Sequence, residues 1–456
     1  MKTTFVLLTA LAAALASAHP WFCFHGDPQH TGKSAVAVGD TLVQAWAFAA
    51  DSEISGSPAV DDSGRVIFGA RDTHVYCVTA SGGLAWSTSL AGLGTTIYFS
   101  APALDDSGNV YITTNRRLVK LSRGGVVRWS WPQHNSLSIS HSPVIGLDGK
   151  IYFACYSDSL YAVRPDSTLA WARPLGASVN SAPAVGSDGR IYVVTTRDTL
   201  SRKLWCFNPD GTSPWSFDLA AEAEFASPAV GPDSTVYVGA GRFLYAVGPN
   251  GTLKWRDSLA AQIQSCPAIA NESTLYVVAA TRLYCIGTDS VVRWRKSIGG
   301  STNYCSPAVD VDGNVFVGTA ADTSSRFYVI GPDSTVLWQT RLTDDVWSSP
   351  AIGPGGRVYF GCMNDTLYAF DGPGTAVAEP RAGAGVGGIR LLPNPTHGVV
   401  RLVPAGRYSA NVFDAAGSLV ASVRDADRID LRGLRRGVYL VRVAAPGCAP
   451  QKVVLH

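Results

Sequence analysis

Ser57-Pro58-Ala59-Val60 returns seven more times along the chain. The copies are Ala101-Pro102-Ala103-Leu104, Ser142-Pro143-Val144-Ile145, Ala182-Pro183-Ala184-Val185, Ser227-Pro228-Ala229-Val230, Cys266-Pro267-Ala268-Ile269, Ser306-Pro307-Ala308-Val309 and Ser349-Pro350-Ala351-Ile352. Successive prolines lie 39 to 45 residues apart. A fixed period of that length marks a propeller or a solenoid and outranks local secondary-structure reading.

The fifth copy shows the unit most clearly. After the SPAV stretch comes a turn at Gly231-Pro232-Asp233-Ser234, then Val236-Tyr237-Val238-Gly239. A second turn leads to Leu244-Tyr245-Ala246-Val247, and a third, Gly248-Pro249-Asn250-Gly251, leads to Leu253-Lys254-Trp255. Four short runs rich in Val, Tyr and Leu, punctuated by Gly, Pro, Asn and Asp, predict a four-stranded antiparallel meander. The acidic turns at Asp62-Ser63-Gly64, Asp106-Ser107-Gly108, Asp148-Gly149, Asp188-Gly189 and Asp312-Gly313 read as hairpin turns. They lack the alternating carboxylates and distal Glu of a calcium loop.

One such sheet cannot bury both faces alone. Radial stacking solves this and gives a propeller. Trp46, Trp86, Trp129, Trp171, Trp215, Trp255, Trp294 and Trp338 recur in phase and are expected to wedge between blades, one indole covering about 150–250 Å². The eighth unit runs through Leu367-Tyr368-Ala369-Phe370 and stops at Asp371-Gly372-Pro373-Gly374 without its outer strand. That strand is upstream, at Leu42-Val43-Gln44-Ala45-Trp46. The expected fold is all-β: an eight-bladed propeller over 41–371, its last blade completed by the N-terminal strand.

The repeat resembles that of pyrroloquinoline-quinone (PQQ) dehydrogenases, of the quinoprotein alcohol dehydrogenase-like class, and is similar to the propeller of the outer-membrane-assembly lipoprotein. The stretch Trp21-Phe22-Cys23-Phe24-His25-Gly26-Asp27-Pro28-Gln29-His30-Thr31-Gly32 resembles the lead-in of such proteins and falls in a segment, 19–40, that precedes the ring. The resemblance covers residues 21–371. It implies a fold; the fold hosts many roles.

Residues 1–18 read as a secretory signal: Lys2, an apolar run from Phe5 to Leu15, and Ala16-Ser17-Ala18 as a small-residue cleavage site. No Cys follows the cleavage site directly, which departs from the lipoprotein pattern. No other segment is long and apolar enough to cross a bilayer. The net charge of +2 implies no nucleic-acid or acidic-membrane partner. The nine cysteines mostly fall in equivalent slots of separate blades, too far apart to bridge. Cys266 and Cys305 are the one pair placed on neighbouring inner strands.

Residues 372–389 are rich in Gly, Ala and Pro and read as a flexible linker. Short alternating strands follow at 399–403, 409–414, 419–423, 438–443 and 452–455, which predicts a small Ig-like sandwich over 390–456. This tail resembles the type A C-terminal sorting domain of type IX secretion substrates. The matching residues are Pro393, Asn394, Pro395 and Gly398 at its start, the Val412-Phe413-Asp414-Ala415-Ala416-Gly417 run, and Gly437 and Tyr439 near the end. The resemblance implies the type IX machinery as a partner, and secretion or surface display by way of the periplasm of a Gram-negative-type envelope.

A PQQ dehydrogenase would hold calcium and its quinone on the axis, with carboxylates and an adjacent-cysteine disulfide. Neither a Cys-Cys pair nor clustered inner-strand acids occur. Three residues before each repeat Pro the chain reads Ser55, Phe99, Ser140, Asn180, Phe225, Gln264, Tyr304 and Trp347. His141, beside Ser142-Pro143, reads as a structural or solvated histidine. No metal, cofactor or catalytic residue is assigned. Phe99, Asn180, Phe225, Gln264, Tyr304 and Trp347 form the candidate ring for a protein or glycan partner, since aromatic anchors suit binding surfaces. Two other readings stay open: a PQQ-dependent oxidoreductase with a divergent site, and an outer-membrane-protein assembly factor.

Overall fold

The computed structural model describes residues 21–373 apart from 133–138, 140, 197–201, 302–303 and 322–323. In the C-terminal region it describes residues 390–392, 399–403, 408–413, 419–426, 428–431, 434, 437–443 and 451–455. The signal segment, the linker from 374 to 389, and Pro393, Asn394, Pro395 and Gly398 lie outside the described residues. The chain divides into two compact units, with the boundary between Val377 and Ala378.

The first unit is an eight-bladed β-propeller of four-stranded antiparallel sheets. The fifth blade is typical: Ala229–Val230, Val236–Ala240, Phe243–Val247 and Leu253–Ser258, innermost first. Second strands are apolar and wholly buried, as in Val66–Gly69 and Ile151–Ala154. Outer strands alternate exposed and half-buried residues, as in Leu84–Ser89. That is the pattern of sheets packed on both faces near the axis and solvated at the rim. The eighth blade consists of Ala351–Ile352, Val358–Gly361 and Thr366–Asp371, completed by Val43–Ala49. The closing pair is antiparallel, with Val43 opposite Asp371 and Ala47 opposite Tyr368.

The turns after the inner strands are set by Asx geometry. Asp61 Oδ1 accepts the Ser63 and Arg65 amides at 2.9 and 3.0 Å, and Asp310 Oδ1 does the same for Asp312 and Asn314. Gly64 and Gly313 take the left-handed position of these turns, φ 76° and 85°, which a side chain would strain.

Two sets of contacts join the blades. Indole N–H groups of the outer-strand tryptophans donate to the third turn of the next blade: Trp86 to Arg123 O (3.1 Å), Trp171 to Pro209 O (2.9 Å), Trp215 to Pro249 O (2.9 Å) and, across the closure, Trp46 to Ala80 O (2.9 Å). Nearer the axis, the first residue of the SPAV stretch accepts the amide of its counterpart one blade earlier. Ser142, Ser227, Ser306 and Ser349 accept from Ala101, Ala182, Cys266 and Ser306. Ser57 accepts from Ser349 at 2.9 Å, which again closes the ring.

The eight described cysteines are buried and free. Cys266 and Cys305 are not bonded to each other. Cys266 Sγ faces the His30 and Pro228 carbonyls, and Cys305 Sγ accepts the Gly318 amide.

The second unit holds two antiparallel sheets. One has Arg390–Leu392, Val399–Val403 and Arg428–Asp430; the other has Leu419–Ala426, Tyr408–Phe413, Gly437–Val443 and Gln451–Leu455. Val412, Ile429 and Leu431 are buried in it. Sequence patterning misses its strands at 390–392 and 428–430, which are three residues long and begin with Arg.

Candidate functional site

The axis is filled at one end by the protein's own chain. The lead-in passes along the inner strands, and its carbonyls accept the amide of the fourth residue of one SPAV stretch after another. Trp21 O takes Val60 N, Phe22 O takes Leu104 N, Pro28 O takes Val185 N, Gln29 O takes Val230 N, Thr31 O takes Ile269 N and Gly32 O takes Val309 N, all at 2.6–2.8 Å. Six blades are thereby tied to one segment. Its own Trp21, Cys23, His25 and His30 are buried. Gly32 has φ 63°, and a Cβ there would lie 2.4 Å from the His25 ring, so the close approach requires glycine.

The two histidines serve the carbonyls. His25 lies between His30 O and Pro307 O, each 2.7 Å from a ring nitrogen, and His30 Nδ1 donates to Pro228 O at 3.2 Å. Burial holds both pKa values below the usual histidine range, that of His30 at about 3. The sequence reading singled out neither histidine; their one signal is a place in a stretch dense in aromatic and glycine residues.

The other end of the axis is reached five residues earlier in each repeat, at the position three before the proline. Four of the six candidate ring residues meet there. Phe99 lies 4.7 Å from Tyr304, 5.4 Å from Phe225 and 6.0 Å from Trp347, centroid to centroid. Tyr304 also packs on Phe225 (4.7 Å) and on Trp347 (5.0 Å). Residues from the second, fifth, seventh and eighth blades are thus brought into contact. Asn180 joins through His141, whose Nε2 is 2.9 Å from Asn180 Oδ1 and whose ring stacks on Phe99. Burial pushes the His141 pKa down to about 4. Gln264 is half-buried at the corresponding position of the sixth blade.

Two features mark this mouth. Phe225 adopts a left-handed backbone, φ 59°. A non-glycine residue held so carries strain that the surroundings must over-determine. Arg71, from the second turn of the first blade, lies over the Tyr98 ring at 4.4 Å and over Trp347 at 5.2 Å. Its Nε and Nη2, together with Trp347 Nε1 and Ser55 Oγ, are buried and have no hydrogen-bond partner among the described residues. Unpaired buried donors cost roughly 1–3 kcal/mol each. The repeat pattern could not show Arg71, since it belongs to a turn that varies between blades.

The family model described as outer membrane protein assembly factor BamB matches residues 34–201 and 201–320. The chain belongs to this family. A second model, described as a secretion system C-terminal sorting domain, matches residues 390–455, so the tail is a sorting domain of the type IX kind. Among solved structures the chain is similar to BamB from Moraxella catarrhalis, at 13% identity, covering 75% of this chain and 99% of that one with a TM-score of 0.58. It is similar to quinohemoprotein alcohol dehydrogenase from Comamonas testosteroni at 13% identity, covering 85% and 84% with a TM-score of 0.63. It is also similar to a europium-containing methanol dehydrogenase at 12% identity, covering 78% and 98% with a TM-score of 0.61. At such identities the likeness is one of fold. No curated protein matches.

The dehydrogenase relatives raise the question of a quinone and its metal. The residues here do not fit that pair. The lead-in occupies one end of the axis and the rings of Phe99, Phe225, Tyr304 and Trp347 meet at the other. Among the described residues no group of three or more His, Cys, Asp or Glu is placed to hold a metal ion.

Proposed function

We propose that the protein is an exported, non-catalytic binding scaffold whose aromatic mouth receives a protein or glycan partner outside the cell. The observation that carries this reading is the mouth itself: four aromatic side chains from four blades, with the Arg71 guanidinium over the ring of one of them, Trp347. Aromatic and Arg anchors of this kind dominate binding energy where they are found. Arg71 is half-buried, and its guanidinium suits a carboxylate on the partner.

Tyr304→Ala and Trp347→Ala test it. A partner is first isolated with the wild-type propeller from culture medium and from a glycan panel. Each substitution should then weaken capture at least tenfold, while leaving the melting temperature within a few degrees. A lowered melting temperature with unchanged capture would mean that the rings only pack beneath the loops.

The route to that surface is the second half of the proposal. The segment 1–18 would lead to the periplasm, and the tail from 390 would be read there by the type IX machinery. Exposed small-residue stretches such as 372–389 are where proteolysis concentrates, so the tail would be removed on export. The full chain and a chain ending at Gly374 are compared in a host with that secretion system. The full chain should reach the surface or medium without its tail, and the shortened one should stay folded in the periplasm. Equal localisation would reduce the tail to an accessory domain.

A further inference from the structure

The grooves between blades share one plan, but they do not all carry the same parts. At four interfaces the turn carbonyl that accepts the tryptophan indole also accepts a cationic side chain from across the groove. Lys120 Nζ reaches Pro165 O at 3.2 Å, Lys150 Nζ reaches Pro209 O at 3.1 Å, Arg190 Nη1 reaches Pro249 O at 2.9 Å, and Arg357 Nη1 reaches Ala80 O. Trp129, Trp171, Trp215 and Trp46 are the matching indole donors. At the first interface Arg65 and Arg123 converge on Asp61, whereas in the fifth blade Lys254 stays within its own sheet and pairs with Asp233.

Between the sixth and seventh blades the indole arrives, and among the described residues no cation joins it on the turn carbonyl. Trp294 donates to Pro332 O at 2.6 Å. The position from which Lys150, Arg190 and Arg357 extend, just before the second strand, is here Thr274. The basic residue on the outer strand, Arg293, is paired with Asp289 at 3.0 Å. What remains is a cavity of about 330 Å³ between Thr274, Tyr276, Trp294, Asp310, Asp312 and Pro332.

We infer that this cavity binds an alkylammonium group, carried by a small aliphatic amine or by a lysine side chain. The guest would repeat what Lys150 does between the third and fourth blades: an ammonium placed on a carbonyl that already serves an indole. The charges agree. Arg293 is offset by Asp289, while Asp310 and Asp312 give the site an acidic balance. The Asp310 carboxylate is committed to the amides of Asp312, Asn314 and Val38 and to Asn314 Nδ2. Asp312, exposed at the rim, is the group free to face the guest. A carbonyl oxygen has two lone pairs, so Pro332 O can accept a second donor.

The experiment follows the indole N–H resonances of the full propeller, with Trp294 assigned through Trp294→Phe. The probes are 1,5-diaminopentane, 1-pentanol as its uncharged counterpart, and Nα-acetyl-lysine methylamide. Saturable movement of the Trp294 signal with the diamine, and none with the alcohol, is expected. Asp312→Asn should weaken binding about fivefold, the size of one exposed ion pair. Thr274→Lys should supply the missing cation, raise the melting temperature and abolish the response, while Thr274→Val, a folding control, should keep it. Saturation by the lysine derivative at lower concentration than the diamine would assign the site to a protein partner, and the reverse order to a free amine. No movement of the Trp294 signal with either amine would overturn the inference, and a stabilising Thr274→Lys would then mark the cavity as a packing gap. Equal binding to wild type and Thr274→Lys would overturn it as well.

Discussion

Trp46→Ala isolates the closure of the ring. Trp46 is the one wedge residue that precedes its own blade in the chain, and it meets the first blade through the 2.9 Å bond to Ala80 O. Its indole lies on Gly82, where a Cβ would come within 2.7 Å of the ring, and beside Tyr359 at 5.7 Å. Trp215 has the same surroundings in mid-chain: Pro249 O at 2.9 Å, Gly251 at 2.8 Å by the same measure, and Tyr192 at 5.9 Å. Both indoles are half-buried, so truncation returns roughly 100 Å² of apolar surface to water, about 2.5 kcal/mol. The lost hydrogen bond adds about 1 kcal/mol. For a cooperative unit of roughly 350 residues, a loss of about 3.5 kcal/mol lowers the melting temperature by about 5 °C. Calorimetry of Trp46→Ala and Trp215→Ala should therefore show equal losses. The reasoning fails if Trp215→Ala melts about 5 °C early and Trp46→Ala melts with the wild type, because the N-terminal strand would then carry no closure energy.

Acid should loosen the axial segment. His30 has a folded pKa of about 3 against about 6.5 unfolded, so between those values the unfolded chain takes up the proton and stability falls as pH falls, by about 1.4 kcal/mol per unit. His30→Asn removes that term, and thermal melts from pH 6.5 to 4.5 should fall about 4 °C less in the variant; parallel curves would refute the burial of a neutral ring. Asp27, whose carboxyl burial pushes up, works in the opposite sense and is common to both proteins. The serine belt gives a matched pair. Ser349→Ala deletes the acceptor of Ser306 N and should cost about 1 kcal/mol, while Ala101→Ser offers Ser57 N the acceptor that the second blade lacks and should raise the melting temperature by about 1 °C. Urea midpoints that leave both variants at the wild-type value would show that the belt contributes nothing.

The propeller could be read from the sequence because a repeated residue repeats its physics. Every SPAV stretch became an inner strand, every Val-Tyr run a buried second strand, and the absence of an outer strand after Phe370 led to the strand at 43–49. The lead-in has no repeat and no period. Its partners are backbone amides of six different blades, and nothing in a linear pattern registers a bond between Gln29 and Val230. Arg71 was invisible for a related reason: its contacts with Tyr98 and Trp347 span the ring closure. In the C-terminal unit the alternating strands at 399–403 and 437–443 were legible, and the Arg-led three-residue strands were too short to alternate.

The same repeat suggests where binding can arise. Eight copies of one sheet hold each other through residues that must agree: the proline, the buried tyrosines, the indoles, the turn glycines. Only positions that differ between copies at constant backbone geometry are free to become chemical. The position three residues before the proline differs in nearly every blade, and it converges on the axis, where side chains from distant blades touch. The position that opens the second strand is basic in four blades, asparagine in the second and seventh and threonine in the fifth and sixth, and at the sixth a cavity opens. Recognition on this account is written in departures from the repeat. A chimera that replaces the sixth blade with a second copy of the fourth would restore the crossing Arg190 and lose the amine site. Its mouth residues Phe99, Phe225, Tyr304 and Trp347, which belong to other blades, would stay in place. Loss of amine binding with mouth binding intact is expected. Loss of both with an unchanged melting temperature would show that the two sites are one.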